Sequence, residues 1–249
     1  MIKVAVCGAM GKMGKEVCLA VEECPETELV AKIDIASDGM YHSIADAHRV
    51  EDIDILVDFT QPKSIFKNAK YCLNNNIKIV IGTTGLKDKE IEELKQLSKE
   101  KNTGCLIAPN FSTGAVLMMM FAKQASKYFD NAEIIELHHN QKKDAPSGTS
   151  IKTAAMMAEV KDDFTKNNCA ETETIEGARG GNSYSNIHIH SVRMPGYIAS
   201  QEVIFGSSGQ IMTIRHDSMD RKCYMQGVLL AVKHVFKHND FVYGLDNIM

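Results

Sequence analysis

A chain of 249 residues, 44% of them hydrophobic, is long enough to bury one large core or two modest ones. Its formal net charge of −4 argues against nucleic acid as the main partner, and its longest apolar run, residues 115–122, is far too short to span a bilayer. Seven cysteines, an odd number scattered without a C-x-x-C pair, fit a reduced interior better than a disulfide framework or a zinc site.

The first residues, Ile2-Lys3-Val4-Ala5-Val6-Cys7, read as a buried strand, so no signal peptide is expected and the expected location is cytoplasmic. Gly8-Ala9-Met10-Gly11-Lys12-Met13-Gly14 follows at once, and then a helix carrying Val17, Leu19, Ala20 and Val21. Glycines at 8, 11 and 14 let the backbone turn tightly and approach a pyrophosphate held by the helix start; the spacing is a variant, with Met10 at the usual second glycine. The next strand, 29–33, ends at Asp34, 20 residues beyond Gly14, where an acid accepts a ribose hydroxyl. Strand, glycine loop, helix, strand and acid in that order predict a nicotinamide dinucleotide site.

Strands at 53–59, 77–81 and 104–108 alternate with a helix from Pro62 and another over 87–101. This alternation predicts a parallel sheet with helices on both faces, and its ligands lie beyond the carboxyl ends of the strands. The turns at Gly8, Asp34, Thr60, Gly82 and Asn110 all fall at those ends. Met118-Met119-Met120 reads as helix core.

The second half differs. Residues 132–137 suit a strand, and Glu136-Leu137-His138-His139-Asn140-Gln141-Lys142-Lys143-Asp144-Ala145-Pro146-Ser147-Gly148-Thr149 runs from it into a fresh helix. Pro146 makes Ala145 extended and Ser147 is a good N-cap, so the amides of Gly148 and Thr149 are expected to form a carboxylate cradle. Histidines, lysines and an anion cradle within a dozen residues are the layout of an active site for a small acidic substrate. Because neighbouring strand residues face opposite ways, His138 and His139 should play different roles.

After the helix near 147–160, residues 161–185 read as a polar, glycine-bearing stretch with a mobile loop at 176–182. Strands at 186–193, 198–205 and 210–216 follow, separated by turns, and are expected to pair antiparallel. A last helix, 219–236, carries Val228, Leu229, Val232 and Phe236 as its core stripe. His188 and His190 share a strand face at a spacing compatible with metal, but no third ligand completes a set and no metal is expected. Arg179 and Arg193 are candidate carboxylate partners. The fold class is therefore α/β: a Rossmann-like parallel-sheet domain (1–110 and 219–249) plus an inserted α+β substrate domain (111–218) with a mixed, largely antiparallel sheet. From the residues alone, another dehydrogenase of amino or imino dicarboxylates, or a non-catalytic dinucleotide sensor, stays open.

The chain resembles the 4-hydroxy-tetrahydrodipicolinate reductase (dihydrodipicolinate reductase) family over nearly its whole length. The most specific match is His138-His139-x-x-Lys142-x-Asp144-Ala145-Pro146-Ser147-Gly148-Thr149. The glycine loop, Asp58-Phe59-Thr60, Gly82-Thr83-Thr84-Gly85, Ala108-Pro109-Asn110-Phe111 and Ser191-Val192-Arg193 match in order, and the spacing from His216 to Arg221 is similar. The resemblance implies a homotetramer built through the sheets of the second domain. It also implies NADH or NADPH as reductant and a small dicarboxylate substrate in diaminopimelate and lysine biosynthesis. His138 would be the proton donor or acceptor, Lys142 the proton donor, and His139, Gly148 and Thr149 substrate contacts. Cofactor contacts would be Gly8, Ala9, Met10, Gly11, Lys12, Met13, Asp34, Gly82, Thr83, Thr84, Ala108, Pro109, Asn110 and Phe111. Many family members place an arginine straight after the acid, where this chain has Ile35, so NADH is expected to serve at least as well as NADPH. The region 36–50 is also shorter than usual in the family.

Overall fold

A computed structural model describes residues 1–36, 40–165 and 171–249. Cys169 and parts of the stretches 36–50 and 161–185 therefore lie outside the described residues. The chain divides into two compact units, Met1–Thr113 with Arg221–Met249, and Gly114–Asp220.

The first unit begins β1 (Ile2–Cys7), α1 (Lys12–Glu23), β2 (Thr27–Ile33), α2 (Ile44–Val50), β3 (Ile55–Asp58), α3 (Pro62–Asn74), β4 (Lys78–Ile81), α4 (Asp88–Lys101) and β5 (Cys105–Ile107). The second unit holds α5 (Thr113–Ala125), β6 (Asn131–His138), α6 (Gly148–Ala158), β7 (Gly181–Asn182), β8 (His188–Arg193), β9 (Ala199–Ser207) and β10 (Gln210–Ser218). The chain then returns to the first unit as α7 (Met225–Lys237) and β11 (Phe241–Tyr243).

Sheet order in the first unit is β11-β5-β4-β3-β1-β2, and every pairing is parallel. Such strands are covered on both faces, which is why β3 is buried throughout and β1 nearly so. Leu56, Ile65, Leu73, Ile79, Ile81 and Leu94 form part of the core on one side of the sheet. The strand order reverses between β1 and β3, so the turns after these two strands flank a topological switch point. Helix α3 begins with Pro62, whose missing N–H costs nothing in a first turn.

The second unit has a mixed five-stranded sheet, β10-β9-β6-β8-β7. Ile134, Ile189, Val203 and Phe205 pack on one face against Ala122 of α5 and Ala154 and Met157 of α6. Met118 and Met119 are buried, as a helix-core reading requires. The expected pairing of three successive strands holds only for β9 with β10. β6 lies between β8 and β9, parallel to β8 and antiparallel to β9. That arrangement sets Arg193 of β8 beside Glu136 of β6, a buried pairing that alternation patterns do not encode.

The last helix is also corrected. A 3-10 turn precedes α7, whose buried face is Met225, Gly227, Val228, Ala231, Val232 and Val235, while Phe236 is 43% exposed.

Candidate active site

The glycine loop joins β1 to α1 in the first unit. Gly8 has φ +80°, and a Cβ there would sit 2.5 Å from the Phe59 carbonyl oxygen. A Cβ on Gly14 would lie 2.0 Å from the Gly8 oxygen, so the start of α1 can approach the loop only without a side chain. Gly11 is the N-cap of α1 and brings no side-chain cap, which leaves the helix start open to an anion. Asp34, just past β2, accepts the Met10 N–H at 2.9 Å and the Ala36 N–H at 3.0 Å. Its carboxylate is thereby fixed against the glycine loop.

The turns after β3 and β4 are tied through Asp58, which is fully buried. Its Oδ1 accepts the Thr60 N–H at 2.9 Å, the Thr60 hydroxyl at 2.7 Å and the Thr83 hydroxyl at 2.8 Å; its Oδ2 accepts the Asn68 amide at 2.8 Å. Phe59 lies over Gly82, where a Cβ would sit 2.2 Å from the ring, and its ring centroid is 5.7 Å from that of Phe111. Gly11, Lys12, Met13, Thr60, Thr83 and Thr84 line a hollow of about 330 Å³. Thr84, Ala108 and Pro109 border a smaller one of about 80 Å³. Ala9, Ala108 and Phe111 are buried, so contacts from these residues are confined to backbone or a thin edge of side chain. Asn110 Oδ1 accepts the Ser112 N–H and holds the turn after β5.

In the second unit, His138 ends β6 with its Nδ1 against Oε2 of Glu136, two residues back and on the same strand face. Glu136 is fully buried. Arg193 grips it with a fork, Nη1 to Oε2 at 2.9 Å and Nη2 to Oε1 at 2.7 Å. Burial pushes the Glu136 carboxyl up, but hydrogen bonds from His138, Arg193 and Ser191 outweigh it and hold the group down at about 2. Nη2 of Arg193 also donates to the Asp144 carbonyl at 2.8 Å. Lys142 Nζ reaches both carboxylate oxygens of Asp144 at 2.8 Å, and that hydrogen bond lowers the Asp144 pKa. Arg193 thus joins the His138 strand end to the Lys142 loop.

His139 is exposed and takes the Gln141 N–H on Nδ1 at 3.2 Å, so the two histidines do face different surroundings. Ser147 caps α6 by accepting the Ser150 N–H at 3.2 Å. Gln201 of β9 anchors this first turn, accepting from the Ser150 hydroxyl at 2.6 Å and donating to Thr153 Oγ1 at 2.8 Å. A Cβ at Gly148 would meet nothing within 4 Å, so the helix start has open space beside it.

Other candidates are engaged elsewhere. Arg179 donates to Glu133 at 2.6 Å, His190 Nε2 lies 2.7 Å from the same carboxylate, and His188 Nδ1 lies 2.6 Å from the Arg179 carbonyl oxygen. Burial raises the Glu133 pKa, and the bonds from Arg179 and His190 more than reverse that. Among the described residues no group of three or more His, Cys, Asp or Glu side chains could hold a metal ion. No described helix is long and apolar enough to cross a membrane. Nothing in the residue pattern by itself gives Glu136 or Asp58 a role. The signal for Glu136 was an acid two residues before a histidine on one strand.

Residues 2–111 match the family model "Dihydrodipicolinate reductase, N-terminus", and residues 114–249 match "Dihydrodipicolinate reductase, C-terminus". The 4-hydroxy-tetrahydrodipicolinate reductase of Lysinibacillus sphaericus (strain C3-41) is 46% identical over 264 residues, covering 100% of this chain and 99% of that protein. That of Streptococcus pneumoniae (strain JJA) is 47% identical over 254 residues, with 100% and 99% covered. A dipicolinate-bound dihydrodipicolinate reductase from Paenisporosarcina sp. TG-14 is 42% identical, with TM-score 0.93 and both chains fully covered. GenD2 of gentamicin A biosynthesis, solved with NAD, shares only the fold, at 12% identity and TM-score 0.67 over 95% of this chain and 86% of its own. Two matched halves and full-length relatives well above 30% identity settle the assignment: the chain belongs to the dihydrodipicolinate reductase family.

Proposed function

We propose that the chain reduces 4-hydroxy-tetrahydrodipicolinate to tetrahydrodipicolinate with loss of water, using a nicotinamide dinucleotide, in the diaminopimelate route to lysine. The observation that carries this reading is the constellation in the second unit. Arg193 binds Glu136 beneath His138 and the carbonyl of Asp144 beside Lys142, a few residues before the open start of α6. The Paenisporosarcina relative, solved with dipicolinate, supports a small dicarboxylate as ligand.

The residues present fit a dinucleotide. The tight turn forms because Gly8 and Gly14 carry no side chains, a Cβ at either one running into backbone, and the uncapped start of α1 supplies N–H groups to a pyrophosphate. The cofactor, when bound, supplies the hydride that the substrate ring receives at C4 once the 4-hydroxyl has left as water. Lys142 gives the accompanying proton to the neighbouring carbon, with Asp144 steadying its ammonium until substrate arrives. A general acid in this role contributes about 10²–10⁴-fold. His138 exchanges a proton or hydrogen bond with the substrate, His139 contacts it, and the Lys142 ammonium offsets its negative charge. Gly148 and Thr149 receive a carboxylate at the helix start.

NADH serves at least as well as NADPH. The fixed carboxylate of Asp34 accepts a ribose hydroxyl and repels a 2′-phosphate, and Ile35, 92% exposed, offers that phosphate no cation. Self-association through the sheet of the second unit is favoured by its second face. That face carries Ile135, Val192 and Ile204 half-buried and Ile211 at 79% exposure, opposite the helix-packed side. The test is steady-state oxidation of NADH and NADPH with substrate generated in place from pyruvate and aspartate semialdehyde by the preceding synthase. Turnover with kcat/KM for NADH equal to or above that for NADPH is expected; an NADPH-only enzyme would refute the Asp34 argument. Light scattering on the eluting protein reads the tetramer.

A further inference from the structure

We infer that Glu136, paired with Arg193, is the positioning residue of this site: it fixes neutral His138 as its Nδ1–H tautomer, so that Nε2 is the atom offered to substrate. The inference rests on the assignment of His138 above and extends it to a named atom and a named partner.

Glu136 and His138 are two apart on β6 and therefore point to the same face, the one that carries Ala132 and Ile134 into the core. An ionised carboxylate only accepts hydrogen bonds, so the ring nitrogen facing it carries the proton. The fork from Arg193 occupies both oxygens of Glu136 and neutralises a charge that is wholly removed from water. It also stops the carboxylate from rotating. A neutral His138 of the other tautomer would set the Nδ1 lone pair against a carboxylate oxygen. The same guanidinium reaches the Val192 and Asp144 carbonyls at 2.8 Å each, so the element that holds Glu136 also fixes the backbone that bears Lys142. One buried ion pair thereby sets the direction of the histidine and the base of the lysine loop.

The primary test is long-range ¹H–¹⁵N NMR of the wild-type protein labelled with ¹⁵N-histidine, read under conditions in which the ring nitrogens themselves report a neutral imidazole. His138 is assigned by the loss of its signals in His138→Gln. The Nδ1–H tautomer is expected; the Nε2–H tautomer would overturn the inference. The second test is Glu136→Gln, which keeps shape but can turn an amide N–H toward Nδ1. It is expected to lower kcat by roughly 10–100-fold, by analogy with losing the carboxylate that orients a metal-bound histidine, while KM for the cofactor stays unchanged. Glu136→Gln with wild-type kcat would overturn the inference as well. If the wild-type enzyme fails to turn over the proposed substrate, the functional reading fails while the tautomer measurement still judges the positioning role.

Discussion

Replacing Asp58 by alanine removes the one acceptor shared by four donors at the switch point of the first unit. The two threonine hydroxyls can turn elsewhere; Thr83 Oγ1 already lies 3.4 Å from the Asp58 carbonyl oxygen. The part-buried Thr60 N–H loses the partner that holds it, and the Asn68 amide keeps only Cys7 Sγ at 3.9 Å, so each donor left poorly met costs about 1–3 kcal/mol. A central loss of about 4 kcal/mol is a large part of a stability of about 5–15 kcal/mol. At about 2–4 °C per kcal/mol for a chain of this size, Tm should fall by about 8–16 °C. Asp58→Asn is the matched control. Its amide oxygen can keep the three threonine donors, and Asn68 can turn its own oxygen toward the new N–H, so about 1 kcal/mol is lost. Calorimetry reads both variants, and NADH fluorescence titration reads the turns they disturb. NADH binding should weaken in Asp58→Ala and stay near wild type in Asp58→Asn. A melting point for the alanine variant within about 2 °C of wild type, or equal damage from both variants, would refute this account of the clamp.

Gly14→Ala should abolish dinucleotide binding or unfold the first unit, because its Cβ would sit 2.0 Å from a backbone oxygen; Gly11→Ala, with 3.2 Å to the same atom, should fold, and both are checked by circular dichroism and NADH titration. Glu136 predicts an acid limb of stability. Its folded-state pKa, about 2, lies below the ordinary 4.5, so its contribution is present above about 4.5 and is lost as pH falls toward about 2. Urea melts between those limits should lose stability in wild type and lose less of it in Glu136→Gln. Ser147→Ala should cost about 1 kcal/mol through the lost cap of α6, together with a higher KM for the dicarboxylate, read from melting and initial rates.

The parallel half was legible because its strands are continuous apolar runs punctuated by glycine and proline, which is how a sheet covered on both faces is written. Element α2 is not evident from the sequence although Ser43 caps it, accepting from the Asp46 N–H at 3.1 Å, because seven residues, 44–50, give too short a helical period. Three residues, Phe241–Tyr243, are too few to show a period, so β11 was missed. In the mixed sheet, alternation located each strand but not its neighbour. Strand order there follows long-range pairings such as Arg193 with Glu136, which no local pattern records. The local part of the site, from His138 to the Ser147 cap, was readable because one short segment carries it. Asp58 and Glu136 each have a near partner, Thr60 and His138, but the bonds that tie them across the fold run to residues distant in sequence, Thr83 in one case and Arg193 in the other.

The most direct test of the central claim runs the reaction with NADH deuterated at the transferable C4 position and reads the product ring by NMR, with wild type and Lys142→Ala compared. Deuterium at C4 of the product, a solvent-derived proton at the neighbouring carbon, and a kcat at least about 10²-fold lower in the lysine variant are the predicted results. A product ring free of deuterium, or a Lys142→Ala enzyme as fast as wild type, would contradict the account.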